Sequence, residues 1–269
     1  MSRRSRQTWL MSLAAVSLAG GLLVTAVPSA SANEPLPDSA TLRDIALKSV
    51  PQWNFPRANN NDPCWPESPF EPNGNPTDGA DVQNWPNSDG GCYPVNTPFP
   101  TYYTVQNCNA DEIRVVFTIY QPTSGFKPSG HRHDFEHVVV TWKKNGGTWL
   151  RDQLLLSAHG THRRKAWSEA ESWNANRDSA GLGREYPRVF VGFGSHSMFN
   201  NQGGLKDVIS AYTNSEYRQA DYPAWADQGG GLVEVTKGGD LYKKFEASAS
   251  HFGSADSNPA RVANDVCWY

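Results

Sequence analysis

Residues Gly130 to Val140 read G-H-R-H-D-F-E-H-V-V-V. Titratable side chains crowd the first half and three valines close it, and β-branched valines favour a strand. Side chains alternate along a strand, so one beginning near His133 puts Asp134 and Glu136 on one face and His133, Phe135 and His137 on the other. His131, in the preceding loop, can then curl toward the two carboxylates. Two acids that close repel each other and need a cation, a shared proton or an arginine. Oxygen ligands with one imidazole suit magnesium, calcium or manganese better than zinc. Arg132 is the purely structural alternative, since it can pair with either acid.

Outward from this stretch the signals remain those of β-structure. Ile113 to Tyr120, Glu136 to Trp142, Thr148 to Ser157 and Arg188 to Phe193 are rich in Val, Ile, Leu, Phe and Trp. K-K-N-G-G at Lys143 to Gly147 joins two of them as a hairpin, because Asn-Gly supplies the positive φ angles of a tight turn. Leu232 to Thr236 reads as a further strand. Short helices are expected from Ser39, as N-cap, through Leu42, Ile45 and Ala46, on the face of Leu205, Val208, Ile209 and Tyr212, and around Leu241 and Phe245. Pro51 to Pro100 is crowded with turn-forming residues, and Arg163 to Arg184 reads as a long loop. The fold class that follows is mainly β, an antiparallel β-sandwich with a few surface helices and long loops.

Arg3, Arg4 and Arg6 precede an apolar run that ends in A-S-A at Ala30 to Ala32, the three parts of an export signal. Residues 1–32 are therefore expected to be removed, leaving residues 33–269 as one domain that is secreted and extracellular. Removal takes Lys+Arg from 24 to 21 against 27 acidic residues, a net charge of −6. That balance argues against nucleic acid as a partner. Export makes two disulfides the expected state of Cys64, Cys92, Cys108 and Cys267, in any of three connectivities.

Enzymatic motifs fit less well. His133 and His137 enclose D-F-E and run into a strand, unlike the helical H-E-x-x-H of zinc proteases. G-S-H-S at Gly194 to Ser197 has histidine where a nucleophile elbow has serine, and lacks its closing glycine.

The G-H-R-H-D-F-E stretch resembles the signature heptapeptide of the necrosis-inducing protein family, secreted toxins of plant-associated microbes, with Phe135 in place of a tryptophan. The segment from Cys64, G-G before Cys92, S-A-H at Ser157 to His159 and F-G-S-A at Phe252 to Ala255 are also similar to family segments. The resemblance implies disulfides Cys64–Cys92 and Cys108–Cys267, and a sandwich similar to actinoporins and fungal lectins. It implies a non-enzymatic cytolysin and virulence factor in which His131, Asp134 and Glu136 hold a divalent cation, magnesium or calcium, while His133 and His159 contact ligand. The implied ligand is the sugar head group of plant sphingolipids, glycosylinositol phosphorylceramides. The implied partner is the target membrane surface, with Trp167 and Trp173 as candidate contacts and a monomer expected in solution. A non-toxic lectin-like module and a secreted metal-dependent hydrolase built on His133, Asp134 and His159 are the alternatives. One departure stands out: the family's Y-F-P-K-D segment is Tyr120, Gln121, Pro122, Thr123, Ser124 here, which removes one carboxylate from the expected cation trap.

Overall fold

The computed structural model describes residues 33–58, 60–87, 90–202, 222–255 and 257–269. The expected export leader and the helical face of Leu205, Val208, Ile209 and Tyr212 lie outside the described residues. In chain order the described elements are β1 (Leu36–Pro37), α1 (Leu42–Leu47), β2 (Gln52–Phe55), β3 (Thr101–Asn109), β4 (Glu112–Ser124), β5 (His131–Asn145), β6 (Thr148–Ala158), β7 (Thr161–Ala166), β8 (Glu171–Trp173), β9 (Ala180–Leu182), β10 (Tyr186–Val191), β11 (Met198–Phe199), β12 (Tyr222–Trp225), β13 (Leu232–Glu234), α2 (Asp240–Ala247) and α3 (Pro259–Asp265).

Two sheets form. One runs β1-β6-β5-β4-β3-β13 with β7 added on β6, and the other β12-β2-β10-β8-β9 with β11 added on β10. Pairing is antiparallel except between β3 and β13 and between β2 and β10, so the sandwich is mainly β, as expected, with both sheets mixed. Val138 and Val140 of β5 join Val115 and Phe117 of β4, Leu154 of β6 and Trp53 of β2 in one buried cluster. The intervening Val116, Val139 and Leu155 face the other way and pack under Val262 and Val266. Tyr120 and Phe135 likewise pack under Phe245 of α2 and Phe252. Both faces of the central strands are covered, which is the physical reason for an unbroken valine run.

Several local expectations are corrected. The N-cap of α1 is Thr41, not Ser39, because Thr41 and Asp44 close a capping box in which each side chain takes the other's backbone N–H. β5 begins at His131, so that residue belongs to the strand rather than to the loop before it. Arg163 to Arg184 is not a long loop: it holds the end of β7, a 3-10 turn at Trp167–Glu169, β8 and β9. β7 reads T-H-R-R-K-A, an edge strand guarded by charge and so without an apolar signature. Trp167 is buried, its indole N–H donates to Arg184 O at 2.7 Å, and the Arg151 guanidinium lies 5.7 Å from its ring centre. Trp173 is half-buried and donates to Gln52 Oε1 at 2.8 Å. Both side chains are committed to packing within the protein. No helix among the described residues is long and apolar enough to cross a membrane.

The cysteines pair as Cys64–Cys92 and Cys108–Cys267. The ladder of β3 and β4 shifts register between Asn107 and Asn109, so Cys108 sits at a bulge that re-aims it toward the C-terminal tail. The tail is further held by Arg114, whose Nη1 donates to the carbonyls of Val266 and Tyr269 at 3.2 and 2.7 Å. The two bridges span separations of 28 and 159 residues. In the chain-entropy account such loops are worth roughly 4 and roughly 5 kcal/mol. Replacing Cys108 and Cys267 together by serine is therefore expected to lower the denaturant midpoint more than replacing Cys64 and Cys92. The opposite order in chemical denaturation would show that the tail contributes little to the folded state.

Candidate functional site

β5 outruns its neighbour. It pairs with β4 from His131 onward, but its ladder with β6 begins only at Val138. The stretch from His131 to His137 therefore presents one edge to side chains instead of to a strand, and a cavity of about 260 Å³ lies against it. Asp134, Glu136, Ser157, His159 and Ser195 are among the residues that line it.

Buried polar groups at such an edge need partners. Asp134 and Glu136, two positions apart on β5, share a face, and each is only 8% exposed. Asp134 Oδ2 lies 2.9 Å from Nδ1 of His196, whose N–H donates to it. The Ser157 hydroxyl donates to Glu136 Oε2 and accepts the backbone N–H of His137 at 3.0 Å, taking the place of the missing ladder. Arg132 pairs with Asp81 and leaves both carboxylates alone, so the structural alternative for that arginine is realised with a different acid.

The remaining expected residues divide. His131 stands at the rim and its Nδ1 donates to His133 O at 3.0 Å. His159 is exposed and lines the same cavity, with Nε2 3.3 Å from Ser197 Oγ. His133 points away from the cavity: its Nδ1 meets the Tyr120 hydroxyl at 2.8 Å, and its ring packs on Phe252 and His251. Burial pushes His133 down to about 4, with His251 adding to the effect. Strand alternation thus places His133 on the face of β5 opposite the two acids. Ser124, at the place of the missing acid, lines the cavity as a hydroxyl. Asp265 of α3 supplies a further carboxylate, paired with Arg261 at 3.6 Å. The cavity is therefore of mixed charge, not simply anionic.

His196 lies in G-S-H-S, an incomplete match to a nucleophile elbow, and no local pattern marks it as the partner of Asp134. Its backbone is left-handed, with φ of 56°, as are those of His133 at 63° and His159 at 49°. Non-glycine residues adopt that region at a cost, and such residues cluster where function constrains the chain.

Among the described residues no group of three His, Cys, Asp or Glu side chains is arranged to hold a metal. Asp134 is turned to His196 and Glu136 to Ser157, so both acids already have protein donors. These bonds engage Oδ2 of Asp134 and Oε2 of Glu136.

A family profile described as "Necrosis inducing protein (NPP1)" matches residues 52–215. Solved structures similar to this chain include one described as "Crystal structure of non-toxic HaNLP3 protein", at 18% identity over 79% of this chain and 83% of that one, with a TM-score of 0.49. Another is described as "Toxin fold for microbial attack and plant defense", at 17% identity over 75% and 78%, TM-score 0.43. A third is "NLPPya in complex with mannosamine", at 19% identity over 59% and 77%, TM-score 0.35. No curated protein sequence matches the chain.

Beside the cavity, His137 and His162 meet Nε2 to Nε2 at 2.7 Å under the ring of Tyr269. Burial pushes His137 down to about 3, helped by His162, and pushes His162 down to about 4, helped by Arg164. Below pH 6.5 the unfolded chain takes up protons that these folded histidines refuse, so stability falls as pH drops toward 4 and is independent of them above 6.5. Glu67 acts in the opposite sense: burial and then Glu71 raise it to about 7, which favours the folded state at low pH. Three depressed histidines outweigh it. The denaturant midpoint is expected to fall between pH 7 and pH 4, and His137→Gln to flatten that fall; an unchanged slope in the variant would remove His137 from the account.

Proposed function

This chain belongs to the necrosis-inducing protein family, and on that premise we propose that it is a secreted protein that binds the sugar head groups of plant sphingolipids, glycosylinositol phosphorylceramides, without turning them over. The observation that carries the reading is the pair Asp134 and Glu136, buried at a cavity wall and each fixed by a protein donor. Carboxylates held in place in this way are pre-organised acceptors for sugar hydroxyls, and charge-assisted hydrogen bonds are the strong ones. His131 and His159, which also line the cavity, add ring nitrogens as further hydrogen-bonding groups.

Damage to the membrane is the family's consequence of such binding. Binding without lysis is the second reading, and two observations favour it: Ser124 stands where an acid was expected, and Trp167 and Trp173 pack inside the protein instead of reaching out to a bilayer.

Flotation with vesicles separates these readings. The protein is expected to float with phosphatidylcholine vesicles containing glycosylinositol phosphorylceramide and not with phosphatidylcholine alone. Asp134→Ala, which removes one acceptor and strands His196, is expected to weaken this at least about tenfold. Equal binding to both vesicles, or an Asp134→Ala protein that binds as well as the parent, would overturn the proposal. Dye release from the same vesicles marks a cytolysin, and its absence marks a lectin-like binder.

A further inference from the structure

A second pocket, of about 360 Å³, adjoins the cavity and shares Ser124, His131, His159 and Ser195 with it. Its chemistry differs. Trp85, Phe126 and Pro128 form its wall, so an aromatic surface continues directly from a polar one. We propose that this pocket is a second sugar subsite, and that the ligand of the cavity is a glycan of at least two rings whose second ring stacks on Trp85. The inference rests on the glycan-binding reading and adds the extent of the glycan to it.

The wall is built to be rigid. Trp85 packs nearly perpendicular to Phe126 and Phe193, with ring centres 5.1 and 5.8 Å away. The loop beneath it is tied at both ends: Gly125 N donates to Gly194 O at 2.7 Å, Lys127 N to Gln83 O at 2.9 Å, and Gly130 N to Phe126 O at 2.8 Å. Gly194 also lets Phe126 approach, since a Cβ there would fall 2.5 Å from the phenyl ring. A wall that needs no ordering on binding keeps the entropic cost of association low.

The shape fits a carbohydrate better than a purely apolar guest. One face of a pyranose ring is lined with C–H groups and packs on an aromatic plane, while its hydroxyls need donors and acceptors at the edge. Those are present at the junction of the two spaces, where the Ser195 hydroxyl is buried and has no hydrogen-bond partner. An unsatisfied buried hydroxyl is costly. A glycan bridging both spaces would pass beside it and, after rotation of the serine side chain, satisfy it.

Calorimetry with glucosamine, whose ammonium complements Asp134 and Glu136, and with its β1,4-, β1,6- and α1,4-linked disaccharides tests this. At least one disaccharide is expected to bind the full chain about tenfold more tightly than the monosaccharide. Trp85→Ala is expected to erase that gain and leave monosaccharide affinity within about twofold. Trp85→Leu, which keeps apolar contact with Phe193, is the check against misfolding and should erase the gain as well. Disaccharides that all match glucosamine, or variants that weaken both ligands equally, would overturn the subsite. A parent protein that binds neither sugar would instead refute the glycan reading on which it rests.

Discussion

Asp134 and Glu136 lie where β5 has left β6 behind, on a strand whose Val138, Val140 and Trp142 serve the core. A paired strand satisfies its own edge; here the donors must come from side chains. Ser157 answers one acid and the backbone beside it, and His196 answers the other. Burying a carboxylate without such a donor costs several kcal/mol, so these bonds are conditions of the fold as much as features of a site.

The consequence reaches across the sandwich. His196 comes from the loop after β10, in the opposite sheet, and holds a left-handed backbone to bring its ring to Asp134. The same loop carries Gly194, which receives the N–H of Gly125 and makes room for Phe126. One hydrogen bond thus helps to set the position of the cavity wall, the floor of the aromatic pocket and the spacing of the two sheets at this end. The opposite end of the cavity is fixed covalently, since Cys108–Cys267 draws the C-terminal tail over His137 and His162.

Much of this was legible from residues alone. Alternation on G-H-R-H-D-F-E-H placed the two acids together and, applied strictly, removes His133 from their company. The valine run marked a strand covered on both sides. Other features left weaker traces. α3 is announced by Asn258 as N-cap and Pro259 behind it, a short signal in a polar context. β2, the strand that anchors the second sheet, is only four residues long between two prolines. β7 hides behind its own charges. The partner of Asp134 lies 62 residues away and depends on where β6 stops pairing, which no local pattern encodes. The same long-range dependence explains why spacing alone does not show which protein donors meet the two carboxylates in three dimensions.

A double-mutant cycle on Asp134→Asn and His196→Gln, read as unfolding free energy at pH 7, tests the central claim most directly. If the bond between them holds this end of the sandwich, the two losses are non-additive, with a coupling energy of about 1 to 3 kcal/mol. Losses that add to within about 0.5 kcal/mol would mean that the two side chains act independently. The cavity would then have to be explained without their bond.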